Sequence, residues 1–181
     1  MRGRNLIIFG FKIMRKLIQN FDLDDYLILD IETTGLDPLT SRITLIGCRW
    51  SYQYKFFQKE DEKEMLRDFW NFLEEGNFDF LVGWNIDEFD WKFLKVRSFL
   101  LEVPIKRYYK RRERIDLMWV LKTPKLRKLE EYASLLGLKK SSENPIKLFE
   151  RKNFESLKAY NKRDLDITFE IFKRCLENGL I

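Results

Sequence analysis

The sequence predicts an α/β domain in which helices flank a mixed central sheet, with three antiparallel strands first and parallel strands after them. Three strand-like runs rich in apolar and β-branched residues come early, at residues 26–37, 42–50 and 52–57, and the last two are almost continuous. Helical patterns then alternate with short apolar runs. Closely spaced strands form hairpins, whereas a strand that follows a helical crossover usually lies parallel to its neighbour.

The middle of the chain shows one strand between two helices. Residues 60–73 begin with acids and carry apolar side chains at helical spacing, which predicts an amphipathic helix. Residues 78–84 (FDFLVGW) predict a buried strand parallel to the first. Residues 86–101 predict a second helix, with Asn85 as its N-cap.

The last third of the chain is mainly helical. A strand end with a short helix is expected at residues 115–121, and an amphipathic helix at 125–136 that stops at Gly137. Residues 141–145 (SSENP) predict a loop, and residues 154–176 the longest helix.

Length and charge set the class of molecule. A chain of 181 residues with 45% hydrophobic residues fits one domain. We expect residues 26–181 to form it and residues 1–25 to be an N-terminal extension. The net charge of +5 favours a polyanionic partner.

Residue types that are rare or missing exclude several chemistries. Histidine is absent, which excludes Ser-His-Asp and Cys-His catalysis and any imidazole base. Cys48 and Cys175 are too few for a zinc cluster or a disulfide framework, and they fit a reducing, cytoplasmic compartment. No run of about 18 apolar residues predicts a membrane-spanning helix, so no membrane association is expected.

The first predicted strand, YLILDIETTGLD, carries Asp30 and Glu32 two positions apart. Side chains at i and i+2 of a strand point to the same face. Each of two adjacent carboxylates opposes ionisation of the other unless a cation lies between them. The pair therefore favours a divalent metal, although an isolated Asp-x-Glu is also typical of a solvated strand end.

Two further acids lie on predicted inward faces. In the last helix, Asp164 is one turn after Tyr160 and falls in an otherwise apolar stripe that begins at Leu157. Such an acid is seldom buried without a partner, and an ion pair with Lys158 or Arg163 is the alternative explanation.

Asp90 is the second of these acids. It lies between Phe89 and Trp91 and is expected to turn inward with the apolar side chains one turn later. Asp87 and Glu88 are better explained as solvent-facing charges at the start of a helix.

Asp30, Glu32, Asp90 and Asp164 can converge from one strand and two helices. Carboxylates without histidine or cysteine select a hard cation, Mg²⁺ or Mn²⁺, over zinc. Two such ions about 3.5–4 Å apart clamp the attacking and leaving oxygens of a phosphodiester. A tyrosine hydroxyl is a weak acid, so Tyr160 is better suited to orienting a water than to removing its proton.

Three blocks of the sequence, LDIETTGLD, GWNIDEFDWKFL and YNKRD, resemble the three motifs of the DEDD 3′–5′ exonucleases, in the branch whose third motif is Tyr-x-x-x-Asp (DEDDy). The pattern Asn-x-x-x-Phe-Asp at residues 85–90 is similar to the proofreading domains of B-family DNA polymerases and their stand-alone ribonuclease-H-like relatives. With RIDL and KLEEYASLLGL between them, the similarity covers about residues 26–176. Three motifs in order are far more specific than one.

The resemblance implies a ribonuclease-H-like fold and a 3′–5′ exonuclease that releases 5′-nucleotides from single-stranded ends, DNA in preference to RNA. It implies that Asp30, Glu32 and Asp164 hold the catalytic Mg²⁺ or Mn²⁺. Asp90 would help to hold the second ion beside Asp30, mostly through water, and Tyr160 would position the nucleophile.

The resemblance also implies contacts with nucleic acid. Thr33, Thr34, Gly35 and Leu36 would pack on the 3′-terminal nucleotide, while Asn85 and Phe89 would contact the strand. A basic stretch adds candidate phosphate contacts, namely Lys106, Arg107, Lys110, Arg111 and Arg112. The same stretch also fits a solvated loop. The expected partners are 3′ ends of single-stranded DNA or RNA, together with a polymerase or a repair or replication complex.

Two other functions fit the same residues. One is a nucleic-acid-binding module in which the chemistry is vestigial, and tight binding without turnover would distinguish it. The other is an endonuclease of the ribonuclease-H-like group, which would cut a circular substrate.

Overall fold

The computed structural model describes residues 23–105, 113–125, 127–138 and 143–181. Its strands are β1 (Tyr26–Thr33), β2 (Ile43–Trp50), β3 (Gln53–Phe57), β4 (Phe80–Gly83) and β5 (Glu113–Asp116). They form one sheet in the order β3-β2-β1-β4-β5. The pairs β1–β2 and β2–β3 are antiparallel, and β1–β4 and β4–β5 are parallel. The predicted mixed sheet is confirmed.

Helices cover both faces of the sheet. Those in the described residues are α1 (Glu62–Glu75), α2 (Asp90–Leu100), α3 (Leu117–Val120), α4 (Leu129–Leu135), α5 (Pro145–Glu150) and α6 (Phe154–Glu177). A short 3₁₀ turn, Leu23–Asp25, precedes β1. None of the helices in this part of the chain is both long enough and apolar enough to cross a membrane.

The central strand β1 separates two hydrophobic layers. Leu27, Leu29 and Ile31 pack in a cluster with the buried faces of α1 and α2, whereas Tyr26 and Ile28 pack in a cluster with α6. This alternation is the period of two expected for a strand that is buried on both faces. The even-numbered positions therefore lead along the α6 face to Asp30 and Glu32.

The junction between β4 and α2 differs from the prediction. Helix α2 begins at Asp90, with Phe89 in the N-cap position, so Asn85 is not its cap. Asn85 has a φ of 61°, in the left-handed region that asparagine tolerates better than most residues, and residues 86–89 form a turn. The carboxylate of Asp116 accepts the backbone N–H groups of Asn85 and Asp87, at 3.0 and 3.2 Å, and so holds the turn in place.

Two smaller differences occur near the C-terminus. Helix α4 begins at Leu129, not at residue 125, because Glu131 reaches back to accept the N–H of Lys128 at 2.8 Å and closes the helix start. Helix α5 was not expected, although Asn144 caps it and Pro145 occupies its first turn.

Several predictions lie outside the described residues. They concern residues 1–22, the first two residues of the loop at 141–145, and the phosphate contacts of Lys106, Arg107, Lys110, Arg111 and Arg112.

Candidate metal and nucleic-acid site

Three of the predicted acids meet where β1 ends. Asp30, Glu32 and Asp164 each offer a carboxylate oxygen, and these oxygens all lie within 4.8 Å of one another. Glu32 and Asp164 are buried, and Asp30 is partly exposed. Clustered hard oxygen donors of this kind fit a divalent cation such as Mg²⁺ or Mn²⁺.

Helix α6 delivers Asp164 to the strand. Its first turn is fixed by Asn153, whose side chain accepts the N–H of Ser156 at 3.3 Å. The helix packs on β1 and β2 through a buried face that includes Leu157, Asp164 and Thr168. Lys158, one of the candidate partners for Asp164, pairs with Glu155 at 3.1 Å.

Asn161 is a polar residue of this site that the sequence reasoning missed. Its side chain is fully buried, and its Nδ2 donates to Oδ2 of Asp30 at 2.7 Å and to Oε1 of Glu32 at 3.3 Å. One amide group thus holds both β1 carboxylates. Its position was detectable, because it lies on the Leu157–Asp164 stripe at helical spacing.

Gly47 makes room for this amide. It pairs with Asp30 across the β1–β2 ladder. A Cβ on Gly47 would lie 1.7 Å from Oδ1 of Asn161 and 3.0 Å from Cδ1 of Leu165. A residue with a side chain therefore cannot occupy this position without displacing Asn161.

Asp90 approaches the same place from the opposite layer. Strand β4, which precedes α2, ends at Gly83. The N–H of Ile31 on β1 donates to Oδ1 of Asp90, at the start of α2, at 3.0 Å. Burial is the main cause that raises the pKa of Asp90 to about 8, with a further contribution from the charge of Asp116, against the lowering effect of the Ile31 hydrogen bond. Asp90 is turned inward as predicted, and it lies next to the three clustered acids without being part of their cluster.

A cleft of about 290 Å³ opens over these residues. Its walls bring together Asp30, Asp90 and Asp164 with Asn85 and Phe89. Asn85 and Phe89, which are predicted to contact the nucleic-acid strand, therefore border the same cleft as the acids.

The cleft also has a basic side that the sequence reasoning did not assign. Arg127 and Lys128, at the start of α4, line it together with Trp84 and Met118. Arg127 pairs with Glu131 at 2.8 Å. The signal was present in the sequence as KLRK directly before an amphipathic helix.

The loop after β1 carries the other candidate nucleotide contacts. The hydroxyl of Thr33 donates to the carbonyl of Gly35 at 2.7 Å, and Thr34 exchanges hydrogen bonds of 3.0 Å with Arg42. Leu36 projects from this loop with 85% of its surface exposed.

A buried ion pair anchors the far side of the loop. Arg97 donates to both oxygens of Glu62, at 2.6 and 2.9 Å, and to the carbonyl of Pro38 at 3.1 Å. Glu62 also accepts the N–H of Ile43 at 2.8 Å. The middle of the loop and its junction with β2 are thus tied to α1 and α2.

Tyr160 lies one turn before Asp164 on α6, as predicted. Its partly buried ring packs against the small cluster of Leu45, Leu148 and Leu157. It does not border the 290 Å³ cleft.

The fold and the acidic site define an α/β protein of the ribonuclease-H-like class. The sequence model of the RNase H superfamily matches residues 27–176, and the chain belongs to this superfamily. A relative in Methanocaldococcus jannaschii, described only as an uncharacterized protein, is 36% identical in an alignment 171 residues long, and the match covers 85% of this chain and 97% of the relative.

A solved structure shares the fold. The family B DNA polymerase from the hyperthermophilic archaeon Pyrobaculum calidifontis aligns with a TM-score of 0.70 and 26% identity over 83% of this chain. The aligned region is 24% of the polymerase chain, so this protein corresponds to about a quarter of it. Together with the superfamily, this likeness indicates a DEDD-type, RNase H-like nuclease.

Proposed function

We propose that the protein is a metal-dependent 3′–5′ exonuclease of the tyrosine branch, which removes 5′-nucleotides from single-stranded DNA. The observation that carries the proposal is the cluster of Asp30, Glu32 and Asp164 within 4.8 Å, of which Asp30 and Asp164 line a cleft together with Asp90. We propose DNA rather than RNA as the substrate because the structural relative is a DNA polymerase.

The proposed residues would hold two Mg²⁺ or Mn²⁺ ions through the three clustered carboxylates, with Asp90 assisting beside Asp30. Such ions, when bound, activate a water and neutralise the charge that develops on a phosphodiester. Burial raises the pKa of Asp90 to about 8, and a cation bound beside this carboxyl would favour its charged form.

The protein's own groups would do the remaining work. The amide of Asn161 keeps Asp30 and Glu32 aimed at one point. Tyr160 would orient the attacking water through its hydroxyl. Leu36 would pack against the terminal base, and Lys128 supplies a positive charge beside the cleft for the phosphate backbone.

The function is tested with a panel of 5′-labelled substrates in Mg²⁺ or Mn²⁺: single-stranded DNA, single-stranded RNA, duplex, and duplex with a mismatched 3′ end. We expect single-stranded DNA and the mismatched end to shorten from the 3′ terminus. The Asp164→Ala variant, which keeps the rest of the site, should leave all of them intact.

Metal binding gives an independent measurement. Electron paramagnetic resonance of Mn²⁺ should show bound ions that Asp164→Ala releases. Tight binding of DNA and Mn²⁺ without any turnover would contradict the proposal and favour a binding module whose chemistry is vestigial. Cleavage by Asp164→Ala at the wild-type rate would show that the activity resides outside the acidic site.

A further inference from the structure

A second cavity lies beside the loop that follows β1, outside the acidic cleft. Its volume is about 670 Å³, within the roughly 300–1,000 Å³ that ligand pockets occupy. We call it the α5 pocket, because α5 and the start of α6 form one side of it. Its lining is Thr34, Arg42, Gln58, Lys59, Glu60, Ile146, Phe149, Glu150, Lys152, Phe154, Glu155 and Lys158.

One wall of the pocket is aromatic. Phe149 and Phe154 lie with ring centroids 6.2 Å apart and an angle of 50° between their planes. The guanidinium of Arg42 lies over the Phe149 ring, 5.7 Å from its centroid. A phenyl ring next to a guanidinium can stack on a nucleobase of any sequence.

The same pocket carries unused positive charge. Its Lys59 and Lys158 are engaged by acids, through Asp68 at 2.6 Å and Glu155 at 3.1 Å. Arg42 and Lys152 form no ion pair within the described part of the chain, and Nη2 of Arg42 donates to the carbonyl oxygen of Glu60 at 2.7 Å. Two positive groups without acidic partners, beside an aromatic wall, match a ligand that combines a phosphate with a base.

The pocket adjoins the loop that follows β1. Thr34 is part of its wall and belongs to the loop that would contact the 3′-terminal nucleotide. The N–H of Thr34 donates to the carbonyl of Arg42, and the N–H of Arg42 donates to Oγ1 of Thr34, both at 3.0 Å. The loop and the pocket therefore share Thr34 and Arg42.

We propose that the α5 pocket binds one nucleoside monophosphate unit, with the phosphate on Arg42 and Lys152 and the base on Phe149 and Phe154. The nature of this ligand rests on the proposed function, because both imply nucleotide chemistry at this end of the sheet. The unit is either a nucleotide of a bound strand or a free 5′-nucleotide.

Photocrosslinking tests the site directly on the full-length wild-type protein. One arm uses 5-iododeoxyuridine monophosphate, and the other uses an oligodeoxynucleotide with a single 5-iodouracil, both in EDTA so that no cleavage occurs. We expect the modified peptide to contain Phe149 or Phe154. Crosslinks confined to the acidic cleft, around Asn85 and Phe89, would overturn the proposal.

Charge-removing variants supply the matched comparison. Arg42→Gln with Lys152→Gln should weaken binding of the crosslinked probe about tenfold, because two charge-assisted contacts are lost. Lys173→Gln with Arg174→Gln removes the same charge from the exposed far end of α6 and should leave binding unchanged. Equal weakening of binding by both pairs of substitutions would show that the probe is held by nonspecific charge attraction, and it would refute the proposed pocket.

The two arms identify the source of the nucleotide. Crosslinking by the free nucleotide at the pocket identifies a free 5′-nucleotide site, and crosslinking by the oligonucleotide alone identifies a strand contact. Failure of the proposed function is separable, because a protein without nuclease activity can still crosslink at Phe149. If the protein is an active nuclease and no such crosslink forms, the proposed function stands and the proposed pocket is refuted.

Discussion

Replacing Gly47 by alanine tests the arrangement of the acidic site with a single methyl group. The new Cβ would lie 1.7 Å from Oδ1 of Asn161, whereas non-bonded heavy atoms sit about 3.5 Å apart. The amide must therefore move by about 2 Å. A shift of that size breaks the 2.7 Å hydrogen bond from Asn161 to Asp30.

The magnitude follows from two contributions. Overpacking a buried position costs about 1–3 kcal/mol. Losing a hydrogen bond to a charged group costs about 1.5–3 kcal/mol. We expect Gly47→Ala to destabilise the metal-free fold by about 2.5–6 kcal/mol. Because loss of a group that orients metal ligands typically costs 10–100-fold in affinity, Mn²⁺ binding should weaken by at least about tenfold.

The assay is urea unfolding together with Mn²⁺ titration, in a double-mutant cycle with Asn161→Ala. In the Asn161→Ala background the clash with the amide is gone, so Gly47→Ala should cost about 1–3 kcal/mol less than in the wild type. Equal destabilisation in both backgrounds, or unchanged Mn²⁺ affinity in Gly47→Ala, would refute this account of the site.

Three further predictions follow from other parts of the structure. Burial raises the pKa of Asp90 to about 8, so between about pH 4 and about pH 8 the folded state binds a proton that the unfolded state has lost. In EDTA, thermal stability should therefore fall as the pH rises through this range, and Asp90→Asn should flatten that profile. Arg97→Met should lower the free energy of unfolding by about 3–5 kcal/mol, because it leaves the buried Glu62 carboxylate without its guanidinium, and an unchanged urea midpoint would contradict this. Leu36→Ala should leave stability within about 0.5 kcal/mol because Leu36 is 85% exposed, yet raise KM for single-stranded DNA, and an unaltered KM would remove Leu36 from the nucleotide contacts.

Local patterns predicted the elements that deliver the acids. The alternation along β1 is a property of neighbouring residues, so the common face of Asp30 and Glu32 follows from the sequence alone. The same holds for Asp164, whose position on the buried stripe of α6 is set by helical spacing.

Contacts between distant residues could not be predicted in this way. Asn85 looked like a helix cap because a capping residue is recognised from its neighbours. Its actual conformation depends on Asp116, 31 positions later, which accepts its N–H. Gly47 and Asn161 are farther apart still in sequence, and only the packing of α6 on β2 brings them together.

The most direct test of the central claim compares linear and circular single-stranded DNA of the same sequence, with Mg²⁺, for wild type and Asp164→Asn. The account predicts that wild type shortens the linear strand from its 3′ end to 5′-mononucleotides and leaves the circle intact, while Asp164→Asn leaves both substrates intact. Cleavage of the circle, release from the 5′ end, or full activity in Asp164→Asn would contradict it.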